Sequence, residues 1–211
     1  MVFVKEANIV CGSPDLWLPE KMDGFVVGVD RGALKLIQKG ISMSVAVGDF
    51  DSVSDDELRQ IEAVTDRLVK LPPEKAVTDC EAAVELVVAD GFNKMYIYGI
   101  TGGRFDHQMA AISLMLKYAK QDVLIITVDK KNTFYILKHG THFLSPTANR
   151  YISFFALGET VKNLQIGGVK YPLNGYDLTV DDSLCVSNEP VATEVSVSFD
   201  SGYLLVVESS D

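Results

Sequence analysis

The sequence predicts an α/β domain built on a mostly parallel sheet, followed by a C-terminal antiparallel β-sandwich. Over the first two-thirds of the chain, apolar strand-like runs alternate with amphipathic helical stretches. Several of those runs are apolar throughout, as expected of strands covered on both faces. From about Phe134 the helical period disappears, and short β-rich pieces broken by turn residues replace it.

The expected strands of the first part are 8–12, 25–29, 45–47, 67–70, 94–98 and 123–128. Between them, 31–39 carries Ala33, Leu34, Leu36 and Ile37 and stops at Gly40, a C-terminal glycine signal. Residues 55–65 place Leu58, Ile61 and Val64 on one face, with Ser54 as the N-cap. Residues 78–90 end at Gly91, and 106–120 set Met109, Ile112, Leu116 and Ala119 on a common face. In the second part, β pieces are expected at 134–137, 141–144, 151–156, 160–166, 183–186, 191–199 and 203–208. Turns are expected at Gly167-Gly168, Asn174-Gly175 and Asp200-Ser201-Gly202. The change of pattern over 133–140 divides the chain into a 1–135 α/β domain and a 136–211 sandwich.

Composition narrows the function. The 211 residues are 47% apolar and carry a net charge of −10, with no basic run. A nucleic-acid partner is therefore not expected, because gripping a phosphate backbone needs Lys/Arg stripes. Cys11, Cys80 and Cys185 are far apart and form no CxxC, which suits a reduced compartment rather than a disulfide scaffold. Neither a signal-type apolar segment nor a run of membrane-spanning length is present. The expectation is a cytoplasmic protein with no membrane partner.

Acidic loops at strand ends carry the chemistry. Gly48-Asp49-Phe50-Asp51-Ser52 follows the third strand. Acids at i and i+2 point apart in an extended chain but converge in a tight turn. Converging carboxylates repel unless a cation holds them, and Mg²⁺ suits hard oxygen ligands. Asp30 follows the second strand, Lys75 to Asp79 follow the fourth, and Gly99 to His107 follow the fifth. In a parallel sheet such loops share the edge where ligands bind. Taken singly, each has a plainer reading. Asp30, Thr78 and Asp106 are ordinary helix-start residues, Gly102-Gly103 is a sharp turn, and His107 is a surface or core histidine. The glycines and Arg104 also suit a phosphate. Neither a P-loop nor a GxGxxG fingerprint is present.

The ordered set resembles the thiamine pyrophosphokinase family. It consists of Asp30-Arg31-Gly32-Ala33, Gly48-Asp49-Phe50-Asp51-Ser52, Lys75-x-x-Thr78-Asp79, and Gly99-x-x-Gly102-x-Arg104-x-Asp106-His107. Gly168 to Leu173 and Ser187-Asn188-Glu189 are similar to the family's C-terminal domain. The resemblance implies transfer of a pyrophosphoryl group from ATP to the hydroxyethyl oxygen of thiamine, giving thiamine diphosphate and AMP. It also implies Mg²⁺ and a homodimer with active sites shared between subunits.

By the same resemblance, Asp49, Asp51 and Asp79 hold Mg²⁺, and together with Arg104 and Asp106 they form the catalytic set. Asp30, Ser52, Lys75, Thr78, Gly102, Gly103, Arg104 and His107 line the ATP and phosphate site. Tyr171, Ser187 and Asn188 contact thiamine. One position departs from the family: Ala76 stands where an Asp is common, which removes one carboxylate. Two rival readings are a same-fold pyrophosphokinase acting on another alcohol, such as a hydroxymethyl pterin, and a non-catalytic module sensing a nucleotide or thiamine diphosphate.

Overall fold

Apolar strands in the first part pair as the alternating pattern dictates. The structure is a computed structural model that describes residues 4–74, 76–145 and 151–211. Two compact units emerge: Met1–Leu114 with Asp122–Asp129, and Met115–Gln121 with Lys130–Asp211. The changeover thus falls at Asp129, and the expected 135/136 boundary lies inside a strand that begins at Asn132.

In the first unit the strands are β1 (Glu6–Val10), β2 (Phe25–Val29), β3 (Met43–Gly48), β4 (Thr65–Lys70), β5 (Lys94–Tyr98) and β6 (Leu124–Val128). All pair in parallel, in the order β6-β5-β1-β2-β3-β4. β1 is flanked by β2 on one side and β5 on the other, so the order reverses there. Such a switch point opens a crevice beyond the carboxyl ends of the strands.

Among the described residues, four helices follow the expected order: α1 (Arg31–Gln38), α2 (Asp55–Val64), α3 (Asp79–Ala89) and α4 (Phe105–Ala119). α2 starts with a reciprocal capping box. Ser54 Oγ accepts from Glu57 N at 3.3 Å, and the Glu57 carboxylate accepts from Ser54 N at 2.8 Å. α1 packs closely on the sheet because Gly32 lacks a side chain. A Cβ there would lie 2.0 Å from the Val10 carbonyl oxygen. Val10, Val26, Ala33, Leu36, Ala46 and Ile61 form the core beside it.

The second unit contains β7 (Asn132–Leu144), β8 (Tyr151–Ala156), β9 (Val161–Gly167), β10 (Leu173–Leu178) and β11 (Val195–Ser209). The pairings are antiparallel and run β10-β9-β11-β7. β11 pairs with β9 through Val197↔Ile166 and with β8 through Val206↔Phe154, so one long strand changes partner along its length. The core is Phe154, Leu164, Ile166, Val197, Leu204 and their neighbours.

Three expectations are corrected here. Asp200-Ser201-Gly202 does not separate two strands; it is a bulge inside β11. Three residues of β11 stand opposite one of β7 between the pairs Phe199↔Gly140 and Tyr203↔Lys138, and the strand bends without ending. Asn174-Gly175 lies within β10, a largely exposed edge strand whose sequence lacks apolar alternation. Residues 183–186 are not a strand: residues 184–187 form a turn, and only Asn188 and Pro190 make isolated bridges.

Gly32→Ala tests how α1 is seated. The added methyl meets a backbone carbonyl that cannot swing aside, so unfolding free energy should fall by about 1–3 kcal/mol. Urea denaturation of the two proteins measures it.

Candidate active site

Gly48 and the peptide groups after it determine how the acidic loop is built. Asp30 sits between β2 and α1 in an unusual backbone conformation, φ 45° and ψ −121°. Its side chain makes no cap bond to α1, so the plain N-cap reading of Asp30 does not hold. The carboxylate turns instead toward the end of β3, where Oδ1 accepts from Phe50 N at 3.2 Å. It reaches that place because Gly48 is bare: a Cβ on Gly48 would lie 1.9 Å from Asp30 Oδ1. The next peptide group, Asp51 N, donates to Asp49 Oδ1 at 3.2 Å. Two successive N–H groups of one loop thus hold the two carboxylates.

Asp79 completes the group from the first position of α3. Thr78 is the N-cap, its Oγ1 accepting from Glu81 N at 3.1 Å. Carboxylate oxygens of Asp30, Asp49 and Asp79 all lie within 4.8 Å of one another. Three acids at that separation suit a hard divalent cation, so the donor set fits Mg²⁺. The membership differs from the expected Asp49, Asp51 and Asp79: the structure brings Asp30 into the group and leaves Asp51 outside it. The physical reason lies at Phe50. Its side chain is buried in the core while its backbone adopts φ 58°, and the residue after it is carried to the surface.

A cavity of about 470 Å³ opens beside these residues at the switch point, within the usual size range of a ligand pocket. Asp30, Ser52, Thr78, Asp79, Gly103, Arg104 and His107 all line it. Among the remaining expected residues, Gly102 lies in the same loop as Gly103 and packs on Asp15, and Lys75 falls outside the described residues. The N-termini of α3 and α4 both reach this cavity through Asp79 and His107, presenting the positive ends of two helices.

Arg104 and Asp106 form an exposed pair. Arg104 Nε donates to Asp106 Oδ1 at 3.1 Å, and Nη2 donates to Oδ2. The guanidinium holds the Asp106 carboxyl below the usual carboxylate range, aided by His107 N donating to Oδ1 at 3.0 Å. Asp106 therefore stays ionised and orients Arg104.

The sequence reading missed the first strand's end loop. Cys11, Gly12, Ser13 and Pro14 also line the cavity. Ser13 Oγ donates to the Thr101 carbonyl at 2.6 Å, and Thr101 Oγ1 donates to Asp129 Oδ2 at 2.7 Å, which ties the ends of β1, β5 and β6 together. Gly12 directly after a buried strand was the available signal. Cys80, also missed, faces Cys11. Its hydrogen bond and then burial push the Cys11 thiol well above its ordinary range, so that thiol stays protonated.

In the second unit, Tyr171 is 62% exposed between β9 and β10. Ser187 is exposed and adopts φ 57°, whereas Asn188 is buried. The Lys170 ammonium lies 5.5 Å from the Tyr171 ring centre.

Comparison with known proteins identifies the family. Residues 19–127 match the family described as "Thiamin pyrophosphokinase, catalytic domain", and residues 137–204 match "Thiamin pyrophosphokinase, vitamin B1 binding domain". A thiamine pyrophosphokinase of Bacillus subtilis is 35% identical over 215 residues, covering 99% of this chain and all of that one. A solved thiamine pyrophosphokinase structure from Bacillus subtilis superposes with a TM-score of 0.90 at 34% identity, covering 98% of this chain and 100% of that chain. A thiamin pyrophosphokinase family protein from Enterococcus faecalis superposes with a TM-score of 0.89 at 31% identity, with 98% and 100% covered.

The three acids give a binding prediction. Asp30→Asn keeps the oxygen that accepts from Phe50 N and removes one charge from the group. It should weaken Mn²⁺ affinity by about tenfold or more, measured by isothermal titration calorimetry.

Proposed function

Because the chain belongs to the thiamin pyrophosphokinase family, we propose that it transfers the pyrophosphoryl group of ATP to the hydroxyethyl oxygen of thiamine, releasing AMP. The observation that carries this reading is the convergence of Asp30, Asp49 and Asp79 at the sheet's switch point, beside a cavity that Arg104 also lines. The match of residues 137–204 to a vitamin B1 binding domain supports thiamine as the acceptor.

Asp30, Asp49 and Asp79 would hold Mg²⁺. When bound, the ion neutralises phosphate charge and helps align the attacking and leaving oxygens. The protein's own groups do the rest. Arg104, already oriented by Asp106, offers paired N–H donors to a phosphate oxygen. The Thr78 hydroxyl accepts from Glu81 N and keeps its O–H to donate. Ser52 offers a second hydroxyl at the cavity wall. The N-termini of α3 and α4 add two positive helix ends where charge accumulates on the transferred group. Asp51 lies one residue before Ser52, and its peptide N–H orients Asp49. Its own carboxylate is a weaker candidate for the ion than Asp30. Ala76 removes a further acid from this neighbourhood without touching the converging three.

Tyr171 presents an exposed ring, and thiamine carries a fixed positive charge. An aromatic face attracts such a cation, by about 0.5–1 kcal/mol at an exposed site. Ser187 lies in the same unit with a strained backbone, a feature that concentrates at binding sites. Tyr171 and Ser187 are the proposed thiamine contacts. Homodimerisation with shared active sites rests on the family resemblance, and a cytoplasmic location on the three scattered cysteines, which suit a reduced compartment.

Incubation with ATP, Mg²⁺ and thiamine, followed by chromatography, tests the activity. AMP and thiamine diphosphate should accumulate in equal amounts, and the absence of both would overturn the reading. Asp49→Asn should lower kcat by roughly a hundredfold or more, because it removes a metal ligand outright. Asp51→Asn should cost less than Asp49→Asn.

A further inference from the structure

Asn188 is expected from the family pattern to contact thiamine, but its side chain already makes three hydrogen bonds within the protein. Oδ1 accepts from Tyr171 N at 3.0 Å and from Glu189 N at 3.0 Å, and Nδ2 donates to the Tyr171 carbonyl at 2.8 Å. The residue is only 5% exposed. Its own backbone is fixed as well: Ile152 N donates to the Asn188 carbonyl at 2.8 Å, and Asn188 N donates to the Ile152 carbonyl at 3.0 Å. One side chain thus grips both peptide groups of Tyr171, while its main chain is clamped to β8.

The adjacent chain is built the same way. Lys170 N donates to the Glu189 carbonyl at 2.9 Å, and Lys170 Nζ pairs with Glu189 Oε1 at 2.9 Å. Ser187 N donates to Ser153 Oγ at 2.9 Å, and Ser153 is itself buried. The Tyr171 ring stays exposed while its backbone is anchored through Asn188.

We infer that Asn188 is a positioning residue: it fixes the Tyr171 backbone so that the ring is presented to thiamine, and it does not itself touch the substrate. This rests on Tyr171 being a thiamine contact, as proposed above. A side chain with two donated or accepted bonds to one residue's main chain acts on that residue's geometry first. Its loss should therefore reach thiamine only by loosening Tyr171.

A double-mutant cycle on the full-length protein separates positioning from contact. Wild type, Tyr171→Ala, Asn188→Ala and the double variant are compared by KM for thiamine, KM for ATP, kcat and melting temperature. Asn188→Ala should raise the thiamine KM roughly tenfold, since it removes both hydrogen bonds that hold the Tyr171 backbone. The ATP KM should stay within about twofold, because the nucleotide residues are untouched. In the Tyr171→Ala background the same substitution should add almost nothing to the thiamine KM, because the ring it positions is gone.

If Asn188→Ala fails to fold, Asn188→Asp takes its place in the cycle. It keeps both accepted bonds and loses only the donated one. Additive effects on the thiamine KM would overturn the inference, since they mean Asn188 acts without Tyr171. An unchanged thiamine KM in Asn188→Ala, with Tyr171→Ala impaired, would overturn it too. A Tyr171→Ala variant with normal thiamine KM would instead refute the contact role of Tyr171, and the inference with it.

Discussion

Convergence of Asp30, Asp49 and Asp79 within 4.8 Å is the constraint around which the candidate site is organised. The elements that deliver them are the ends of β2 and β3 and the start of α3, all at one edge of a parallel sheet. Two successive peptide N–H groups, Phe50 and Asp51, anchor one oxygen each from Asp30 and Asp49. Gly48 leaves the space that the Asp30 carboxylate occupies.

That arrangement explains why the site belongs where it does. A switch point supplies a crevice without any insertion, and the strand-end loops deliver side chains from distant parts of the sequence to one place. Ser13 and Asp129 tie the Thr101 loop to its neighbours, so Arg104 projects from a braced segment. Asp106 makes two hydrogen bonds to the Arg104 guanidinium and so holds its orientation. Charge neutralisation and alignment, not covalent chemistry, are what these groups are equipped to supply.

Much of the first unit was legible because its signals are local. Buried parallel strands are apolar runs, and Ser54 and Thr78 cap their helices as short-range rules expect. The site was partly legible: acids at strand ends mark the edge, but sequence spacing does not say which three converge. The family resemblance names Asp51 rather than Asp30, whereas in the structure the Phe50 backbone and the space above Gly48 bring Asp30 beside Asp49. In the second unit, β10 is exposed and irregularly paired, so it carries no alternation to read. The Asp200-Ser201-Gly202 signal reads the same whether the chain turns or bulges, and only pairing with β7, β8 and β9 distinguishes the two. Asn188 shows a similar limit, because a residue type that suits ligand contact serves equally well to hold a neighbour's backbone.

The assignment of Asp30, Asp49 and Asp79 to a divalent cation used in pyrophosphoryl transfer is tested most directly by crystals grown with Mn²⁺ and a non-hydrolysable ATP analogue, measured for anomalous scattering. A manganese peak should lie within bonding distance of all three carboxylates and of a phosphate oxygen. A peak bound through Asp51 with Asp30 left out would contradict it.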